Sequence, residues 1–207
     1  MIMELYHFVC ILVPITIYEI LLIMYGRGGL RSPLHYKKKY LCRHLLETFF
    51  MCLYLNIVLK ITGIGTIWDI KKYQSLNSLE LNLIPFSDIK QVGIDIPNIL
   101  LFLPLGFILP SIWKNMRNPI KSTFLGFCFS LLIELCQLFN YRVTDINDLI
   151  YNTIGTLIGY LIWKISRKIF PFIKLKRISL SRKEPAFIVF IVIAAIFLFY
   201  NQRASFD

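Results

Sequence analysis

The chain has 207 residues, 57% of them hydrophobic and 17% charged, with a net charge of +11 and a mean hydropathy of +0.63. A soluble domain is about 45–50% apolar and about 25% charged, so the composition excludes an ordinary soluble fold and points to an all-α, polytopic integral membrane protein. The excess of basic residues excludes nucleic acid as the expected partner because of where it lies: 17 of the 23 Lys and Arg fall within 26–43, 114–121 and 164–183. Basic residues in short segments between apolar runs mark cytoplasmic loops, whose natural partners are anionic lipid headgroups.

The first apolar run, 5–25, contains Pro14 and carries Glu19 one or two turns from its inner end. Its basic cluster follows it, which fits a retained anchor better than a cleaved signal peptide. The second run, 41–61, has His44 and Glu47 one turn apart near its inner end and Lys60 near its outer end. Interfacial anchoring and local pairing are expected of these groups, since long side chains reach out of apolar surroundings and acids near a basic loop find partners.

Residues 62–97 form the longest non-spanning segment, and its four acids and three Lys make it unlike the basic loops and place it outside. Within it, Asn82, Leu83, Ile84, Pro85 and Phe86 suggest a fixed turn that dips into the membrane interface or packs onto the helices. The third run, 98–113, contains Pro104 and Pro110, which predict a kink, and Gly106, which permits close approach by a neighbouring helix. The fourth run spans 122–139, the fifth 148–164 and the sixth 185–200. Six spans of roughly 17–25 residues, with the three basic loops on one side, put both termini outside. The chain divides into 1–61 (two helices and a basic loop), 62–97 (outer loop), 98–164 (a three-helix core) and 165–207 (basic linker and last helix).

The stretch from Ser130 to Tyr160 holds the densest polar content of this apolar region: Glu134, Gln137, Arg142, Asp145, Asp148 and Asn152. Ionisable and amide groups at membrane depth are costly and commonly mark function. Glu134 lies roughly 9 Å below the outer end of the fourth run and Asn152 about 6 Å below Asp148, at 1.5 Å per residue, so the two helices can present polar groups at similar depth. Asp148, Asn152, Gly155 and Gly159 form one stripe of the fifth helix, polar above and small below. Arg142 and Asp145 sit in the connecting loop, and Asn98 starts the third helix at comparable height, its dipole pointing outward. The expectation is an outward-facing polar pocket; the structural alternative is that these groups satisfy one another and fix helix register, at about 0.6 kcal/mol per contact.

Four motifs, NLIPF at 82–86, NILLFLPLG at 98–106, IELCQ at 133–137 and RVTDINDLIYNTIG at 142–155, resemble those of the VanZ-like family of bacterial membrane proteins. The resemblance covers about 80–163 and implies a multi-pass protein of the bacterial cytoplasmic membrane. It carries interest onto Asn82, Pro85, Phe86, Asn98, Pro104, Gly106, Glu134, Gln137, Arg142, Asp145, Asp148, Asn152 and Gly155. The family's namesake confers low-level resistance to the glycopeptide teicoplanin; together with the outward-facing pocket, the resemblance motivates a first reading as a non-enzymatic envelope protein. Its partners would be membrane lipids and a cell-wall precursor or glycopeptide-related ligand.

The alternative is a membrane-embedded enzyme acting on a lipid-linked substrate. Glu134 and Asp148 are then the catalytic candidates, with Arg142 holding a phosphate and Asp145 and Asp148 as oxygen ligands for a divalent ion. Against it, His7, His35 and His44 are remote from the stretch, and no HExxH, GxSxG or Cys–His pair is present. A transporter is disfavoured by the lack of an internal repeat. The five cysteines lack CxxC spacing and read as small hydrophobes. No cofactor and no metal are expected.

Overall fold

A computed structural model describes residues 2–25, 38–70, 81–82, 84–86, 94–140, 144–170 and 180–200. Six long helices dominate it: α1 (Ile2–Tyr25), α2 (Lys38–Thr62), α3 (Ile96–Ile112), α4 (Pro119–Gln137), α5 (Ile146–Ile169) and α6 (Glu184–Phe199). A single helical turn at Ile67–Ile70 and a parallel bridge between β1 (Leu81–Asn82) and β2 (Thr144–Asp145) complete it. The all-α expectation holds, and each predicted run falls on one helix.

Local chemistry explains most of the boundaries. Helix α2 stops where Gly63 turns left-handed at φ 63°, its amide bonded to the Leu59 carbonyl at 3.0 Å, the usual glycine end of a helix. Helices α3, α4 and α5 start at Asp95, Asn118 and Asp145, each of whose side chains accepts a backbone amide of the first turn. Such caps satisfy donors that the helix itself leaves unpaired. Proline stands in the first turn of α3, α4 and α6, where its missing N–H is not needed. Helix α3 runs on without interruption through Pro104 and Pro110.

Glycine sets the tightest contact. A Cβ on Gly106 would lie 1.9 Å from the Thr156 carbonyl oxygen, one on Gly159 1.9 Å from that of Leu103, and one on Gly155 2.3 Å from that of Ile99. Helices α3 and α5 are therefore in backbone-to-backbone contact along three successive turns, which only small residues permit. Gly126 brings α4 onto the Thr156 side chain in the same way. Around this seam, Phe102, Leu105, Leu109, Trp113, Phe129 and Ile133 form a core with residues of α1, α2 and α6. Tyr54 of α2 donates to the Leu101 carbonyl at 2.7 Å, and Tyr6 of α1 donates to that of Phe199.

The surface is apolar and part of the interior is polar. Val9, Val13, Ile17, Ile20, Leu21 and Met24 form an exposed stripe on α1, and α5 exposes Ile154, Leu157, Ile158, Leu161, Ile162 and Ile165. Glu19, His44, Thr48, Asn56, Ser130, Glu134, Asn152 and Glu184 are buried. Exposed large apolar patches and buried polar groups are the informative departures from ordinary globular partitioning. Among the described residues, the stretch Lys39–Asp69, which takes in all of α2 but its first residue, and Pro119–Gln137 are long and apolar enough to cross a membrane; Val9–Met24, Ile96–Ile112 and Glu184–Phe199 are shorter apolar helices.

Candidate functional site

Two neighbouring segments, 81–86 and 95–98, meet the distant 144–148 segment where α3 and α5 begin. Residues 81–82 pair in parallel with 144–145, which sets Asn82 opposite Asp145, and Asn82 Nδ2 lies 3.4 Å from Asp145 Oδ2. Phe86 has φ 61°, a conformation unusual for a residue with a bulky side chain. Its amide donates to Asn147 Oδ1 at 2.7 Å, and its ring meets that of Tyr151 edge-on at 6.3 Å. The turn at 84–86 is thus fastened to the first turns of α5, while its Ile84 and Pro85 face outward.

Asn98 links the two helix starts. Its Nδ2 donates to Asp95 Oδ2 at 2.9 Å and to Asp148 Oδ1 at 2.7 Å. Asp95 also accepts the Asn98 amide, and Asp145 accepts the Asn147 amide at 2.8 Å. Three carboxylates are therefore gathered at two helix N-termini, where negative charge is favoured. Asp95 and Asp145 act there as caps, and Asp148 is the acid that joins α5 to α3.

Deeper between α4 and α5, Asn152 Nδ2 donates to Ser130 Oγ at 2.9 Å, while Asn152 Oδ1 accepts no hydrogen bond from any described residue. Glu134 is 5% exposed, one turn from Ser130. Gln137 turns elsewhere, donating to the Thr62 carbonyl at 2.8 Å, beside Asn140, which donates to that of Gly63. Gln137 thus pins α4 to the end of α2. The structure brings Asn82, Phe86, Asn98, Asp145 and Asp148 together, with Glu134 and Asn152 below them. Arg142 lies outside the described residues, as does Leu83. Asn147, which sequence reasoning passed over, is 8% exposed and anchors the Phe86 turn.

A second polar cluster stands at the opposite end of the helices. His44 Nε2 lies 2.5 Å from Glu184 Oε1, and one ligand atom each from Glu19, His44 and Glu184 lie within 4.8 Å of one another. They are 5%, 2% and 0% exposed. The expectation of local pairing holds for Glu47, which pairs with Arg43 at 2.9 Å, and is corrected for His44, which turns into the bundle. The signal was periodicity. Ile11, Ile15 and Glu19 on α1, His44, Thr48, Cys52 and Asn56 on α2, and Glu184, Ile188, Val192 and Ile196 on α6 each repeat every four residues and are all buried.

The profile of the VanZ/LLP1 family matches residues 50–167, more than half of the chain and the whole of the Asn98–Asp148 junction. Protein VanZ of Enterococcus faecium is 29% identical over 131 residues, which cover 63% of this chain and 78% of that protein. No solved structure matches the chain. The family segment holds the α3–α5 glycine seam, both capped helix starts and the buried Glu134 and Asn152, and the chain belongs to the VanZ/LLP1 family.

Proposed function

We propose that this protein spans the bacterial cytoplasmic membrane six times, with both termini outside. In this reading it contributes to glycopeptide resistance, teicoplanin first, by binding an envelope lipid, a wall precursor or a partner at the polar junction on its outer face. The observation that carries the reading is the meeting of Asn82, Phe86 and Asn98 with Asp145 and Asp148, about 50–60 residues on, within the family segment, at one end of apolar-surfaced helices. Similarity to the enterococcal VanZ protein supports the resistance role. The apolar exterior and the basic loops support the membrane and its orientation.

In this arrangement Asp95 and Asp145 keep the helix starts in place, and Asp148, Glu134 and Asn152 are the groups to which the proposal assigns recognition. Asp148→Asn is the informative change, because it keeps an oxygen that can accept from Asn98 while removing the charge. Asp148→Asn and Glu134→Gln are each expected to lower the teicoplanin concentration that inhibits growth, at unchanged protein level in the membrane. Unchanged susceptibility in both variants, at normal abundance, contradicts the proposal.

A further inference from the structure

We propose that Glu19, His44 and Glu184 bind a divalent transition-metal ion that cross-braces α1, α2 and α6 at the end of the bundle opposite the Asn98–Asp148 junction. None of the three residues lies within the matched segment 50–167, so the site is separate from the junction and from the reading placed on it.

Three observations converge. First, the donors are already assembled, one from each of three helices, with their ligand atoms within 4.8 Å of one another. Ligands bound at about 2.0–2.2 Å to one zinc ion lie roughly 3.3–3.5 Å apart, so binding draws Glu19 inward while His44 Nε2 and Glu184 Oε1, 2.5 Å apart, separate to admit the ion.

Second, charge in the cluster is unbalanced. Neither oxygen of Glu19 accepts a hydrogen bond from any described residue, although the side chain is 5% exposed. The single imidazole is engaged with Glu184. A buried carboxylate without a partner is costly, and a cation placed between both carboxylates and the imidazole removes that cost for all three.

Third, the surroundings are those of a held ligand set. Glu184 Oε2 accepts the amides of Leu180 and Ser181 at 3.1 and 3.3 Å, which leaves Oε1 aimed at the cluster. Outer contacts of this kind orient metal ligands. Thr48, one turn along α2 from His44, has a buried hydroxyl with no hydrogen bond to any described residue. Thr48 and Glu19 both line a cavity of about 260 Å³ between α1 and α2, whose other walls are mostly apolar.

One nitrogen and two carboxylate donors suit zinc, iron(II) or manganese(II) rather than calcium or magnesium, which take oxygen alone. Three protein ligands leave one position free in a four-coordinate site.

The test uses the full-length protein in detergent, stripped with a chelator and reloaded with Zn²⁺ alone. Wild type is expected to retain about one zinc per chain after desalting. Glu19→Gln is expected to bind more than about 100-fold more weakly, beyond the 10–100-fold that outer contacts cost. Glu19 receives no hydrogen bond from the described residues, so a purely structural role predicts that Gln leaves zinc binding as it was. Where Glu19→Gln does not remain monodisperse, Glu19→Asp is measured instead, with a loss of at least about tenfold expected. Zinc below a tenth of an equivalent in wild type, or equal retention by wild type and variant, overturns the proposal. Co²⁺ in place of zinc reads the donors: visible bands without thiolate charge-transfer absorption support the site, and strong thiolate absorption assigns the metal to cysteine and overturns it.

Discussion

At the scale of single residues, the junction depends on side chains that satisfy backbone ends and on glycines that let backbones touch. The stripe Asp148, Asn152, Gly155 and Gly159 was legible because helical spacing alone puts these residues on one face. Its partner was not, since periodicity does not say which neighbour a face meets. Asp148 and both glycines meet α3, while Asn152 meets Ser130 of α4. The capping roles of Asp95 and Asp145 follow from a local rule that the apolar surroundings obscured, because acids in an apolar chain draw attention as a site first. Gly159→Ala places a Cβ 1.9 Å from the Leu103 carbonyl oxygen. The clash is expected to lower stability by about 1–3 kcal/mol, outweighing the roughly 0.5–1 kcal/mol that Ala gains over Gly in a helix. Thermal unfolding in detergent against wild type checks it.

At the scale of elements, two connections that look like loops in the sequence are tied together. The β1–β2 bridge and the Phe86 turn hold the segment after α2 against the start of α5. Proline and three apolar side chains announced a fixed turn at 82–86; its anchor, Asn147, carried no signal because a lone amide in a helix start has many possible partners. Asn147→Ala removes the acceptor for the Phe86 amide, at a cost of about 0.5–1.5 kcal/mol for a part-buried hydrogen bond. Hydrogen exchange at Phe86 is expected to quicken by up to about tenfold, at about tenfold per 1.4 kcal/mol, with exchange in the middle of α3 unchanged. Equal exchange in variant and wild type contradicts the anchoring role. The inner cluster was harder to see than this turn, because Glu184 lies 140 residues from His44. Only the four-residue burial stripes of α1, α2 and α6 hint at it.

At the scale of the whole molecule, the helices carry apolar side chains outward and polar ones inward, with polar clusters at both ends. The helix count and approximate bounds were legible because apolar runs between basic segments fix them with little help from packing. The pairing of α1 with α6, made through Tyr6, Tyr200, Tyr18 and Phe187, was not, because the sixth run offers no polar marker.

The central claim is that the Asn98–Asp148 junction faces the outside of the cell. It is tested by replacing the five native cysteines and introducing Ile84→Cys at the junction or Lys114→Cys in the turn after α3, both at exposed positions. An impermeant maleimide applied to intact cells is expected to label Ile84→Cys, and to label Lys114→Cys only after lysis. Labelling of Lys114→Cys in intact cells, with Ile84→Cys protected until lysis, would contradict the account.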